Sequence, residues 1–247
     1  MLQPRLRFAR ARGAETCDDL CDMINVGMAA APRRKRELAT LDLVMFDADG
    51  VLFESAESNV AYYNAVFSAI GEMPLNPEEE RACIFMAAMT VLELRAGEDA
   101  ALLARMREVA RTIDFTPFFA LLKPPLELRP FLLDLKRRYR IALATNRSAT
   151  THGLIEHLGL GGVFDAVASA YDKVRPKPAP DIVRLCLERA GVAPARAVYV
   201  GDSQIDAEAA SGAGAHFLGV GARVEHRHRV AGLAEVPLAL ERMFRKS

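Results

Sequence analysis

Cysteine is scarce in this chain, neither sign of charge is in surplus, and no apolar run is long enough to cross a bilayer. The four cysteines, Cys17, Cys21, Cys83 and Cys186, are scattered. That spacing excludes a disulfide framework and suits reduced thiols in a cytoplasmic protein. Cys17 and Cys21 have no Cys or His neighbours to complete a zinc set. With 32 basic and 32 acidic side chains, nothing in the charge points to nucleic acid or an anionic membrane surface as a partner. The longest apolar stretch, about Ala82 to Leu92, falls short of the roughly 20 residues that a membrane-spanning helix requires.

What is present is a globular composition. The 247 residues are 51% hydrophobic, enough for one large domain or for a domain with a sizeable insertion. Residues 1–40 differ in character, with Arg5, Arg7, Arg10 and Arg12, then Arg33-Arg34-Lys35-Arg36, around a short segment from Asp18 to Met28. A signal peptide needs an apolar core of about 7–15 residues and a small-residue cleavage site, and neither is clear here. Asp18, Asp19 and Asp22 argue against an Arg-rich targeting segment. The expectation is a basic, poorly ordered extension, or a translation start read too early, with Met28 as the alternative.

From Leu41 onward, apolar runs alternate with helical patterns. The runs are Leu43–Phe46, Ile141–Ala144, Val163–Ala168, Val198–Val200 and Phe217–Val220, several of them continuously apolar, as strands buried on both faces should be. Between them lie helical patterns at Pro130–Tyr139, Thr150–Leu158, Ala179–Ala190 and Asp206–Ser211. Such alternation predicts an α/β fold with a doubly wound parallel sheet. From Glu54 to Leu128 there is no good strand, only helical patterns at Ser58–Ile70, Glu78–Ala96, Glu98–Asp114 and Thr116–Leu122, punctuated by prolines. This predicts a small α-helical cap (54–128) inserted into a core made of 41–53 and 129–247, placed as a lid over the ligand-binding edge.

The polar residues that matter stand where strands should end. Asp47 and Asp49 follow Leu43–Phe46 and precede Gly50; two residues apart on extended chain, they point to the same side. Like charges that close are costly unless a cation, a proton or a reaction uses them. The second run ends in Thr145-Asn146-Arg147, and a later segment carries Lys177 between Pro176 and Pro178, whose rings stiffen the backbone around it. The fourth run ends in Gly201-Asp202, with Asp206 four residues further on. Each feature alone has an ordinary structural explanation as a turn, a helix cap or a solvated loop. At one sheet edge they form a set suited to phosphoryl transfer: a carboxylate nucleophile, a second carboxylate as acid and base, and Mg2+ with a lysine to offset phosphate charge.

These residues resemble the haloacid dehalogenase superfamily. Asp47-Ala48-Asp49-Gly50-Val51 is similar to its first motif, Ala144-Thr145-Asn146 to its second, Lys177-Pro178-Ala179-Pro180 to its lysine motif and Gly201-Asp202-Ser203-Gln204-Ile205-Asp206 to its last. The resemblance spans about Leu41 to Gly221. It implies a Rossmann-like core with the cap between the first and second motifs, as in phosphoglycolate phosphatase-like and β-phosphoglucomutase-like members. It further implies Asp47 as nucleophile, Asp49 as acid and base, and Thr145, Asn146 and Lys177 as phosphate-binding. Mg2+ would be held by the Asp47 carboxylate, the Asp49 carbonyl oxygen and Asp202, and Asp206 would orient a metal-bound water or Lys177. An acid at Asp49 disfavours the dehalogenating branch, while Glu54 departs from the Asp often found there in phosphatase relatives.

The expected activity is hydrolysis of a small phosphorylated metabolite through an aspartyl-phosphate, by a monomer or homodimer. Two alternatives stay open: a phosphosugar mutase of the same superfamily, and a phosphoacceptor signalling domain. The insertion and the D-x-D spacing argue against the second. Arg81, Arg95, Arg105 and Arg111 of the insertion are read as parts of its solvated faces rather than as substrate ligands.

Overall fold

The computed structural model describes residues 40–85 and 90–245; apart from Thr40, the basic segment expected at the N-terminus lies outside them. Six strands form one parallel sheet: β1 (Leu43–Phe46), β2 (Arg140–Thr145), β3 (Ala166–Ser169), β4 (Ala197–Gly201), β5 (His216–Val220) and β6 (Arg229–Val230), in the order β3-β2-β1-β4-β5-β6. The helices are α1 (Ala56–Ala69), α2 (Pro77–Phe85), α3 (Thr90–Ala96), α4 (Ala100–Thr112), α5 (Leu128–Lys136), α6 (Thr151–His157), α7 (Asp181–Ala190), α8 (Gln204–Ala213) and α9 (Val236–Phe244).

The strands are apolar throughout because both faces of the sheet are covered. Val44, Phe46, Ile141, Leu143, Val198 and Val200 face one layer, where α5 contributes Leu128, Leu132 and Leu135 and α9 contributes Val236 and Leu240. Their alternates, Leu43, Met45, Ala142, Ala144, Ala197 and Tyr199, face α7 and α8 on the other side. On that side α8 presents Ala209, Ala210 and Ala213, small residues that let the helix lie close to β4. Winding runs outward from β1 in both directions, so the ends of β1, β2 and β4 lie side by side: Phe46 is in register with Leu143 and with Val200. That is the edge at which open α/β sheets bind ligands.

Between β1 and α5 the chain forms α1 to α4 and a 3-10 turn, Thr116–Leu121. These helices gather an apolar cluster of their own around Tyr63, Val66, Phe67, Leu92 and Met106, while Phe119 and Leu122 join the sheet's core. The chain enters and leaves this segment at one paired point, where the Glu54 N–H donates to Lys123 O (3.1 Å) and the Lys123 N–H donates to Glu54 O (3.0 Å).

Three readings of the sequence change in detail. The apolar run Val163–Ala168 is strand only from Ala166, because Val163 is a buried core residue in the preceding turn. The pattern over Glu78–Ala96 is two helices, α2 and α3, either side of residues that are not described. At the C-terminus, β6 and α9 have no counterpart in the sequence reading.

Arg95 shows why the insertion's arginines are not interchangeable surface charge. Its guanidinium pairs with Glu79 (2.5 and 2.6 Å), donates to the carbonyls of Met73 and Pro74 (2.9 and 3.1 Å) and lies 4.1 Å above the Phe67 ring. Glu79 is only 3% exposed. Glu79→Ala leaves the mostly buried Arg95 guanidinium with only the more distant Glu72 carboxylate, 3.6 Å away, and is expected to lower stability by about 3 kcal/mol, measured by chemical denaturation; Arg107 and Glu93, a solvated pair, should give less than about 1 kcal/mol in the same assay.

Candidate active site

β1 delivers the first acids. Ala48 packs into the core with Val44 and Phe46, which leaves the flanking Asp47 and Asp49 for the strand's end. The Asp47 N–H continues the sheet by donating to Val200 O (2.9 Å). Gly50 follows with φ +75°, and a Cβ there would lie 1.9 Å from Oδ2 of Asp202. The absent side chain is what lets the loop after β1 pass beside the last acidic motif.

Lys177 is the centre of the site. Its ammonium, 4% exposed as a residue, donates to the Tyr199 hydroxyl (2.7 Å) and to Oδ1 of Asp206 (2.7 Å), and lies 2.8 Å from Oδ1 of Asp47. Burial works against its charge, but Asp47 and Asp206 raise its pKa above the ordinary lysine value. The Tyr199 hydroxyl completes the arrangement by donating to Ala144 O (2.6 Å). Asn146 fixes the backbone of Lys177 from both sides: its Nδ2 donates to Lys177 O (3.1 Å), and its Oδ1 accepts from the Lys177 N–H (2.8 Å). The amide side chain is thus committed to the lysine loop. Thr145 ends β2 buried, with Oγ1 accepting from the Arg147 N–H (3.2 Å).

The acidic pair after β4 is not two carboxylates on one helix. Asp202 precedes the helix, Ser203 is its N-cap, and Asp206 sits in the first turn of α8 as half of a capping box. Oδ2 of Asp206 accepts from the N–H groups of Asp202 and Ser203 (3.2 and 3.1 Å) and from the Ser203 hydroxyl. The repulsion expected for two acids four residues apart on one helix is avoided, because one oxygen of Asp206 is spent on the helix end and the other on Lys177.

Electrostatics separate the four acids. Burial raises the Asp47 carboxyl to about 7 against the pull of Lys177, with Asp206 and Asp49 adding to the rise. Asp202 is raised to about 6, again chiefly by burial and opposed by Arg223. Burial also raises Asp49, but the Arg147 guanidinium outweighs it and holds the carboxyl below the ordinary value. Oδ1 of Asp47 is, among the described residues, a buried oxygen with no aligned hydrogen bond. Asp47, Asp202 and Asp206, all buried, each offer an oxygen within 4.8 Å of the others. Three buried carboxylates that offer hard oxygens this close together are a set that fits a divalent cation of the Mg2+ type.

The structure therefore brings Asp47, Asp49, Thr145, Asn146, Lys177, Asp202 and Asp206 to one sheet edge. Three neighbours escaped the sequence reading. Tyr199 is hidden inside the apolar run of β4, where a hydroxyl among valines was the available signal. Arg147 grips Asp49 through two 2.6 Å contacts, and Arg223, on the loop after β5, pairs with Asp202. Nothing local marks Arg223, since its partner is 21 residues away. A cavity of about 430 Å3 opens beside this edge, lined by Gly50, Glu54, Gly221 and Arg223 among others. A larger one, about 500 Å3, lies along α8 with Glu208, His216 and His228 in its wall and none of the four acids; volume alone does not mark the chemistry.

Residues 44–220 match the family model described as haloacid dehalogenase-like hydrolase. The protein CbbY of Cereibacter sphaeroides is 30% identical over 189 residues, covering 70% of this chain and 81% of that protein. A phosphoglycolate phosphatase of Pseudomonas putida is 27% identical over 192 residues, 72% of this chain and 68% of its own length. Among solved structures, a subfamily IA hydrolase from Geobacter sulfurreducens superposes with a TM-score of 0.68 at 28% identity, covering 81% of this chain and 96% of that one.

Tyr199 is fully buried, so Tyr199→Phe would keep the ring in place while leaving Ala144 O and one ammonium proton without a partner. Stability is expected to fall by about 1–3 kcal/mol, measured by denaturant unfolding.

Proposed function

The chain belongs to the haloacid dehalogenase-like hydrolases, and from that premise we propose that it is a cytoplasmic, Mg2+-dependent phosphatase acting on a small phosphorylated metabolite through an aspartyl-phosphate on Asp47. The observation that carries this reading is the state of Asp47: a buried carboxylate at the end of the central strand, with Oδ1 2.8 Å from the Lys177 ammonium and the buried carboxylates of Asp202 and Asp206 close by. Relatives named as phosphatases support the reaction class.

In this reading an oxygen of Asp47 bonds to phosphorus as the bond from phosphorus to the leaving alcohol oxygen breaks. Asp49, once off the Arg147 fork and carrying a proton taken from solvent, gives that proton to the leaving oxygen and then takes one from the water that hydrolyses the aspartyl-phosphate. Lys177 stays charged and holds both Asp47 and the phosphoryl oxygens. The Thr145 hydroxyl and the backbone N–H beside it at Asn146 supply further donors to those oxygens, while the Asn146 side chain keeps Lys177 in place. The carboxylates of Asp47 and Asp202 and the carbonyl oxygen of Asp49 would hold Mg2+. Asp206, both of whose oxygens are engaged, would stand behind them as orienter of Lys177. When bound, the cation offsets the charge of the transferring phosphoryl group. The helices α1 to α4 act as the cap that selects the rest of the substrate.

Asp47→Asn is expected to abolish phosphate release from p-nitrophenyl phosphate with Mg2+ while leaving the circular dichroism spectrum unchanged; substantial turnover in that variant would remove Asp47 as nucleophile. Asp49→Asn should slow turnover by at least about 100-fold and allow phosphorylated protein to accumulate, visible as a gain of one phosphoryl mass. Chelation by EDTA should stop turnover and added Mg2+ restore it. A single stoichiometric phosphorylation without turnover would instead indicate a phosphoacceptor domain.

A further inference from the structure

We propose that Arg147 is a specificity-determining residue: it binds a second anionic group, a carboxylate or a further phosphate, on the phosphorylated substrate, and it leaves Asp49 to do so. This rests on the phosphatase reading above and names the substrate class within it.

Arg147 makes a fork-to-fork pair with Asp49, Nε to Oδ2 and Nη2 to Oδ1, each 2.6 Å. Both oxygens of the acid–base carboxylate are thereby covered. The guanidinium lies 5.5 Å from the Phe53 ring and 5.1 Å from the Phe115 ring. One ring belongs to the loop after β1 and the other to the inserted segment. The Arg147 side chain is 10% exposed, whereas its partner Asp49 is 33% exposed. A guanidinium against aromatic rings, cut off from water, keeps a strong demand for a planar anion, and its fork fits carboxylate or phosphate in two contacts at once.

Asp49 cannot serve the ester while both its oxygens are held. A phosphate monoester with an uncharged remainder has nothing to offer the guanidinium in exchange. One that carries a second anion does: the fork passes from one carboxylate-like group to another, the buried guanidinium is not left unpaired, and both Asp49 oxygens are uncovered. Phe115 places the exchange beneath the insertion, where the substrate's remainder would lie.

The test compares phosphonoacetate with ethylphosphonate, which differ by a carboxylate in place of a methyl group, as inhibitors of p-nitrophenyl phosphate turnover. The wild-type protein should bind phosphonoacetate at least about 30-fold more tightly than ethylphosphonate, or about 2 kcal/mol. In Arg147→Gln that ratio should fall at least tenfold, while kcat for p-nitrophenyl phosphate rises because Asp49 is no longer covered. Arg147→Lys, which keeps the charge and loses the fork, should lie between the two. These opposite movements would not follow from loosened structure. No preference in the wild type, an unchanged ratio in Arg147→Gln, or an equal loss of both inhibitors with a lower kcat overturns the proposal. Should the wild type hydrolyse neither p-nitrophenyl phosphate, which has no second anion to offer Arg147, nor a phosphate monoester that bears a carboxylate, the phosphatase reading fails instead, and calorimetric binding of the two phosphonates still decides the role of Arg147.

Discussion

One buried cation organises this molecule. Taking an ammonium out of water costs several kcal/mol unless opposite charge and hydrogen bonds surround it, and Lys177 is surrounded by Asp47, Asp206 and the Tyr199 hydroxyl. These partners come from the end of β1, the first turn of α8 and the middle of β4, while Asn146 at the end of β2 holds the lysine's backbone. Four segments separated along the chain are thus set relative to one another by a single side chain. The same contacts keep the lysine charged and Asp47 oriented. Asp206 shows the coupling most directly, since one oxygen neutralises Lys177 and the other caps α8. Charge placement in the site and formation of the helix are the same event.

The parallel sheet and its edge were legible because both are written in short patterns. A strand buried on two faces must be continuously apolar, and polar residues at its carboxyl end then stand out, as Asp47, Thr145 and Asp202 do. Val163 misled for the complementary reason: an apolar residue in a turn can be as buried as one in a strand. β6 and α9 were missed because the first is two residues long and the second fills a place on the sheet that only the closed fold creates. Arg147, Tyr199 and Arg223 escaped for a different cause. Their meaning lies in partners 98, 22 and 21 residues away, and no local spacing records such distances.

The acids of the site are held in unlike states although they are chemically alike. Asp47 is raised by burial, Asp49 is lowered by the Arg147 fork, and Asp206 is consumed by the helix end and by Lys177. Division of labour among four aspartates comes from their neighbours rather than from themselves, which is why the neighbours carry as much functional information as the motifs do.

The bridge between Glu54 and Lys123 has a further meaning for how such chains diversify. The segment from 55 to 122 leaves and returns at a paired point and is otherwise tied to the sheet's core through Phe119 and Leu122, so α1 to α4 form a loop between fixed ends. Doubling the length of a flexible loop with fixed ends costs only about 0.6 kcal/mol in closure entropy. Helices can therefore lengthen, shorten or be exchanged inside that loop with little effect on the register of β1 and β2 or on the placement of Lys177. The sheet edge and the inserted helices can drift at separate rates within one chain.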